Sequence, residues 1–357
     1  RLPAKIMDPS MLALVKYGVQ VGEVELREVP VPEIGPSDVL MQTAACGVCG
    51  SDVEMYHHKV TYRVDVPVIM GHEFAGNVVA VGAEVRGWEK GDRVVSETAA
   101  HICGQCAMCL SGQYNLCPLR RGYGSHMDGA FAHFVRVPAR ILHRVPESLD
   151  LQVAALAEPL SVAYNALVVK SRIHPGDTVV VVGAGPIGLF AVQVARINGS
   201  GRVILAGLTC DAARLDVGRQ VGADETVNVD DVDLEALVKE RTGGWGADLI
   251  VDAAGVNKVL EQALRLVRPN GQITKIGWDP QPVNFSLDPL LIKGVVLQGV
   301  FSHTWETWEK ALALLTSGRV QGEPMITHRV PLSDWRMAYH LVETREAVKA
   351  LIIPTAT

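Results

Sequence analysis

The sequence predicts an α/β protein: a β-rich domain followed by a doubly wound parallel sheet. Three observations lead there. A chain of 357 residues, 48% apolar and 20% charged, is too long for one ordinary domain and rich enough in apolar residues for two cores. Up to about residue 150 the sequence runs in short alternating apolar–polar stretches punctuated by Gly, Pro and Asp. From about Asp177 it changes to strand-like and helix-like segments in alternation, the rhythm of a parallel sheet with helices on both faces.

The first domain is carried by runs such as "GEVELREVPVP", "GNVVAVGAEV" and "FAHFVRVPA". In the second, "TVVVVG" reads as a buried strand and "GLFAVQVARIN" as a helix. "RVILAG" is a strand, "DAARLDVGRQVG" a helix ending at Gly222, and "ADLIVDAAG" a strand. "NKVLEQALRLVR" is a helix, "GQITKIG" a strand and "GVVLQGVF" a last strand. Two amphipathic helices follow, "TWETWEKALALLTSG" and "SDWRMAYHLVETRE", then the strand "AVKALIIP". The expected domains are 11–160 and 161–302, with 303–357 returning to the first.

Charge and composition exclude some function classes. A net charge of −6 points to no nucleic-acid or anionic-membrane partner. "TVVVVGAGPIGLFAVQVA", Thr178 to Ala195, is eighteen uncharged residues, close to a membrane span. Its β-branched first part and its glycine-rich turn read instead as a buried strand and helix. No leader with a basic start and an apolar centre is seen, and "RLPAKIMDPS" has no readable pattern. The cysteines read as metal ligands rather than disulfide partners, which suits a reducing cytoplasm.

"VVVVGAGPIG" places Gly183, Gly185 and Gly188 in a Gly-x-Gly-x-x-Gly pattern. Alone this pattern is weak, but here it follows a strand and opens a helix. Gly183 allows the tight turn, Gly185 lets the backbone approach a pyrophosphate, and Gly188 lets helix and strand pack closely. The helix start, Pro186 and Ile187, offers free N–H groups and a positive dipole end to phosphates. The next strand ends where a carboxylate normally grips the ribose 2′-hydroxyl of NAD, and that place holds Gly207. With no carboxylate to repel a 2′-phosphate, NADP is the expected cofactor. Thr209 would hydrogen-bond the phosphate, and Arg214 or Arg219 would neutralise it. Asp211 is the alternative ribose partner if the loop folds back. Ile276 and Gly277, ending "GQITKIG", and Val300 and Phe301, ending "GVVLQGVF", complete the expected cofactor set.

Two metal sites are expected. Cys103, Cys106, Cys109 and Cys117 follow C-x2-C-x2-C-x7-C, a spacing that closes a zinc tetrahedron with no vacancy. That site holds a lobe together and does no chemistry. An iron–sulfur cluster is the rival, weakened by the lack of a second cluster motif. The other site is scattered: Cys49, Ser51 and Asp52 in "CGVCGSD", His72 and Glu73 in "GHEFAG", and Glu158 in "AEPLS". One thiolate, one imidazole and one or two carboxylates suit a catalytic zinc with an exchangeable position.

"GHEFAGNVVAVGAEV" resembles the zinc signature of the medium-chain dehydrogenase/reductase superfamily, through Gly71, His72, Glu73, Gly76, Gly82 and Val85. The four-cysteine lobe and the Gly-Ala-Gly-Pro-Ile-Gly turn are also similar, and together they cover the chain from about Met11 to its end. "GVCGSD" and "AEPLS" look most like the sorbitol (polyol) dehydrogenase branch, and "TWETWEKAL" is similar to the threonine dehydrogenase branch.

The resemblance implies a GroES-like catalytic domain and a Rossmann domain, with two zinc ions per chain. It makes Cys49 and His72 zinc ligands and Glu73 a ligand or close neighbour. Glu158 is a ligand or holds the water on the metal, and Asp52 orients His72. Cys46 and Cys210 match no ligand position.

The implied reaction is hydride transfer between a secondary alcohol or polyol and NAD(P), giving a ketone. The metal stabilises the alkoxide, and Ser51 takes the first proton. The family's relay histidine is replaced by Glu54, with His57 or His58, or water, as substitutes. Met55 stands where sorbitol dehydrogenases carry an aromatic, and Ser302, followed by His303, where they carry an arginine. These departures undermine sorbitol itself as the substrate. Threonine-like amino-alcohol oxidation and a non-catalytic nucleotide-binding relative are the alternatives. Trp305 and Trp308 have helical spacing and read as core. The resemblance also implies a homodimer or homotetramer, with "GVVLQGVF" free to pair edge to edge with a partner's sheet.

Overall fold

The computed structural model describes residues 10–354, which divide into two compact units. The first takes the described residues up to Glu158, His303–Thr316 and those from Ile326 on; the second takes Pro159–Ser302 and Ser317–Met325.

The first unit is built on a seven-stranded sheet. Its path runs Ile326–Pro331, Lys349–Ile353, Asp38–Gly47, Glu73–Val81, Arg93–Ser96 and Leu142–Arg144, and Phe134–Pro138 pairs on Asp38–Gly47. A smaller sheet joins Val24–Pro30, Ser10–Lys16 and Val68–Ile69. The register brings distant residues together: Gly47 lies opposite Glu73 on one side and Leu351 on the other. A Cβ on Gly47 would come within 2.3 Å of Glu73 Oε2 and push that carboxylate from its place. The core under this sheet includes Phe74, Phe131, Trp335 and Tyr339.

The second unit is a six-stranded, all-parallel sheet. The strand order is Glu225–Asn228, Arg202–Gly207, Thr178–Val182, Ala247–Asp252, Val267–Lys275, Val296–Gly299. In chain order this is 3-2-1-4-5-6, the doubly wound arrangement that binds dinucleotides at the carboxyl ends of its strands. The uncharged stretch from Thr178 is a strand (Thr178–Val182) followed by a helix (Pro186–Ile197), as periodicity implied. One helical stretch, Leu151–Val169, is long and apolar enough by length and composition to cross a membrane, and 67% of its window is buried inside the protein.

The structure adds elements the sequence reading did not separate: the strand Glu225–Asn228 and the helices Leu234–Arg241 and Asp288–Lys293. All three are short and partly polar, so they carry too few apolar positions to show a period. The helix read as ending at Gly222 closes at Gln220, and Gly222 takes φ +114 just beyond it. "GVVLQGVF" keeps only Val296–Gly299 as strand. Of the two tryptophans read as core, Trp308 is fully buried and Trp305 is half exposed.

Candidate functional site

Cys49 ends the loop after the strand Asp38–Gly47 and caps the short helix Gly50–Tyr56. His72 and Glu73 open the neighbouring strand Glu73–Val81. Ligand atoms of Cys49, His72 and Glu73 all lie within 4.8 Å of one another. One thiolate, one imidazole and one carboxylate so placed form the donor set of a catalytic zinc.

The support around these donors is specific. Asp52 is fully buried. Its Oδ2 accepts from the Cys49 N–H at 2.9 Å, and its Oδ1 faces His72 Nδ1 at 3.6 Å. Burial alone would lower the His72 pKa. The negative charge of Asp52, with Cys49 adding to it, holds that pKa well above its ordinary value. A metal on the other ring nitrogen would use the same field, with Asp52 fixing the ring. Asp52→Asn keeps the bond from Cys49 and removes the charge behind His72. It is expected to weaken zinc at this site about 10–100-fold, read by chelator competition. Parent-like zinc retention would remove Asp52 from this role.

Glu73 is buried and paired with a residue the sequence reading missed. Lys349 Nζ donates to Glu73 Oε1 at 2.9 Å, Glu73 Oε2 at 2.6 Å and the Val48 carbonyl at 3.0 Å, accounting for all three ammonium protons. Burial favours the neutral amine, but the Glu73 carboxylate raises the Lys349 pKa and keeps it charged. A usable signal was present: a lone lysine inside the apolar run "AVKALIIP".

Glu158 stands outside the trio found among the described residues. Its Oε1 lies 3.2 Å from His303 Nε2. Trp308 Nε1 donates to His303 Nδ1 at 2.7 Å. An indole N–H only donates, so Nδ1 is the acceptor and Nε2 carries the proton toward Glu158. Thr98 Oγ1 lies 3.3 Å from the same Nε2 and accepts from Arg120 Nη2 at 2.7 Å. Burial opposes ionisation of Glu158, but the hydrogen bond from His303 and the positive charges around it, Lys349 among them, together lower its pKa, so this carboxylate is ionised. His303 thus faces the site, whereas Ser302 belongs to the other unit. Thr98 and Arg120 carried no signal in the sequence.

Other expected residues fall differently. Met55 is packed in the core, so it does not take the place of a pocket aromatic. Tyr62 is the aromatic near the site: burial pushes its pKa up to about 12, and His72, Asp52 and Cys49 act on it. His57 Nε2 pairs with Glu343 Oε1 at 2.8 Å, and Glu54 and His58 are exposed. Ser51 sits in the first turn beside Cys49. Cys46 is a fully buried core residue and Cys210 is exposed.

The four sulfurs of Cys103, Cys106, Cys109 and Cys117 also lie within 4.8 Å of one another. Cys103 Sγ is 3.9 Å from Cys109 Sγ and 3.6 Å from Cys117 Sγ. A zinc–sulfur bond of about 2.3 Å gives a tetrahedron edge of about 3.8 Å, which these distances match. Backbone N–H groups of Gln105 and Cys106 lower the Cys103 pKa to about 6. Burial and neighbouring thiols push Cys109 up to about 12. A cation would ionise the whole set.

In the second unit, Gly183 takes φ +110 and its N–H donates to Ala206. A Cβ on Gly188 would lie 1.9 Å from Gly183 O, so the helix can sit on the turn only with glycine there. Nothing lies within 4 Å of a Cβ placed on Gly185, the capping residue ahead of Pro186 and Ile187. That open face is where a pyrophosphate can approach. Gly207, Ile276, Gly277, Val300 and Phe301 all follow or end strands at the same edge of the sheet. Thr209 and Arg214 sit just past Gly207, already bonded to carboxylates: Thr209 to Asp230, Arg214 to Asp211.

Comparison with known proteins agrees with this geometry. Residues 35–147 match the alcohol dehydrogenase GroES-like domain, and residues 186–317 match the zinc-binding dehydrogenase domain. The chain is 40% identical to a sorbitol dehydrogenase of Halalkalibacterium halodurans, over 96% of this chain and 99% of that one. It is 33% identical to an L-threonine 3-dehydrogenase of Bacillus velezensis, over 98% of this chain and 100% of the other. A zinc-binding dehydrogenase from Sinorhizobium meliloti 1021, solved bound to NADP, superposes with a TM-score of 0.89 at 31% identity, covering 97% of this chain and 100% of that one.

Proposed function

The chain belongs to the zinc-containing alcohol dehydrogenase family, and on that premise we propose that it oxidises a secondary alcohol or polyol to a ketone, passing hydride to a nicotinamide dinucleotide. The observation that carries the reading is the convergence of Cys49, His72 and Glu73 within 4.8 Å, backed by Asp52 and Lys349. A non-catalytic nucleotide binder has no use for such a donor set.

Zinc supplies Lewis acidity that lowers the cost of deprotonating the alcohol. The chain's own residues do the rest. Cys49, His72 and Glu73 hold the ion. Lys349 offsets the charge of Glu73, and Asp52 orients His72. Glu158, ionised and aimed by His303, offers an acceptor for a proton or a water at the site. Ser51 begins the proton path outward. The turn Gly183–Gly188 binds the pyrophosphate and holds the dinucleotide at the carboxyl edge of the parallel sheet. Cys103, Cys106, Cys109 and Cys117 hold a second, closed zinc.

The amino-alcohol alternative rests on the similarity to L-threonine 3-dehydrogenase. A homo-oligomer is part of the proposal. The helix Asp288–Lys293 and the edge strand Val296–Gly299 leave Leu291, Ile292, Val296 and Leu297 exposed in one short stretch, a patch suited to a second copy of the chain.

One preparation tests these points. Purified protein is assayed for zinc, for mass by light scattering, and for dinucleotide reduction with polyols, small secondary alcohols and threonine. Two zincs per chain, an oligomer and turnover of a polyol or secondary alcohol are expected. One zinc and no turnover on any alcohol would overturn the enzyme reading, preferred turnover of threonine the substrate class, and a monomer the assembly.

A further inference from the structure

The expectation of NADP rested on an absence, since Gly207 stands where a ribose-reading carboxylate is usual. The fold returns a carboxylate to that place from another strand. Glu225–Asn228 lies beside Arg202–Gly207, with Gly207 opposite Asn228, and the Val229 N–H donates to Gly207 O at 2.9 Å. The next residue, Asp230, directs Oδ2 onto Thr209. It accepts from the Thr209 N–H at 2.8 Å and from Thr209 Oγ1 at 2.8 Å.

These are the donors a 2′-phosphate was expected to use. Asn228 Nδ2 donates to Thr209 Oγ1 at 3.0 Å, so the hydroxyl is engaged on both sides. The strand end is next to the phosphate-binding turn: a Cβ on Gly207 would touch Ala184 at 3.3 Å. The cations expected to neutralise a phosphate are also engaged. Arg214 is buried and reaches Asp211 Oδ1 at 3.5 Å. Arg219 pairs with Asp216 and donates to Thr226 Oγ1 at 2.7 Å. Lys258 acts on Asp230 through its charge, and the bonds from Thr209 are the larger hold on this carboxylate.

We infer that Asp230, held by Thr209, makes the chain select NAD over NADP. The carboxylate already fills the place of the extra phosphate. A 2′-phosphate would have to displace it from Thr209 and then sit beside a like charge, whereas a 2′-hydroxyl can donate to it. The inference rests on the reading that the Gly183–Gly188 turn binds a nicotinamide dinucleotide.

The test is direct titration of the purified protein with NADH and NADPH, followed by nicotinamide fluorescence, so no substrate or turnover is needed. NADH is expected to bind about tenfold or more tightly than NADPH. In Asp230→Asn and Asp230→Ser the ratio of NADPH to NADH affinity is expected to rise about tenfold. Asp230 is exposed, and the ratio within one variant is insensitive to partial misfolding. A parent protein that binds NADPH as tightly as NADH, or a ratio unmoved in both variants, overturns the inference while the cofactor reading stands. Binding of neither nucleotide overturns both.

Discussion

Cys49→Ala is expected to lower zinc from two ions per chain to one and to cut alcohol oxidation by roughly a thousandfold or more. The trio Cys49, His72 and Glu73 loses its thiolate, while the four-cysteine cluster lies elsewhere in the first unit and keeps its ion. A metal that polarises the substrate oxygen is worth several kcal/mol, and each ~1.4 kcal/mol is tenfold in rate. Dinucleotide binding should persist, because the glycine turn belongs to the second unit. The mirror variant, Cys106→Ser, should lose the other zinc and lower the melting temperature, since a closed tetrahedral site stabilises its lobe and performs no chemistry. Metal analysis with steady-state rates on both variants decides the matter. A Cys49→Ala protein that keeps both zincs, or turns over at near-parent rates, would refute the assignment of the catalytic site.

In protein stripped of zinc by a chelator, where no metal charge offsets Glu73, Lys349→Met is expected to destabilise the first unit by about 3–5 kcal/mol. The reason is asymmetry. Lys349 and Glu73 are both almost wholly buried, and removing the ammonium leaves a carboxylate in the interior without its main partner. The corresponding fall in melting temperature is on the order of 10 °C for a domain of this size. Pairing the change with Glu73→Gln should recover much of the loss, since two neutral side chains carry no uncompensated charge. Circular dichroism melts of the parent, the two single variants and the double variant give the coupling. A Lys349→Met melt within about 2 °C of the parent would show that the pair adds little.

Much of the fold was legible because secondary structure is written in local spacing. The β-branched run from Thr178 and the apolar period of Pro186–Ile197 lie within twenty residues, and the glycines between them sit at the strand-to-helix turn where their pattern gains its meaning. Short polar elements such as Glu225–Asn228 were not legible, since four residues hold no readable period. The cysteine lobe was equally local. Cys49 and His72 are different: neither is distinctive by itself, and they were found through the resemblance of their flanking motifs.

The sequence alone therefore determined the α/β class, the glycine turn for a dinucleotide, the four-cysteine clasp and the candidate donors of a second metal. Only the tertiary structure decided which partners those donors have. Glu73 meets Lys349 across 276 positions of chain, and His303 meets Glu158 across 145. Asp230 meets Thr209 because two parallel strands lie side by side. Strand and helix formation depends on neighbours a few residues away, which any short window records. The pairing of buried charges depends on how the chain returns on itself, and a lysine, a histidine or an aspartate carries no mark of the partner that return will bring.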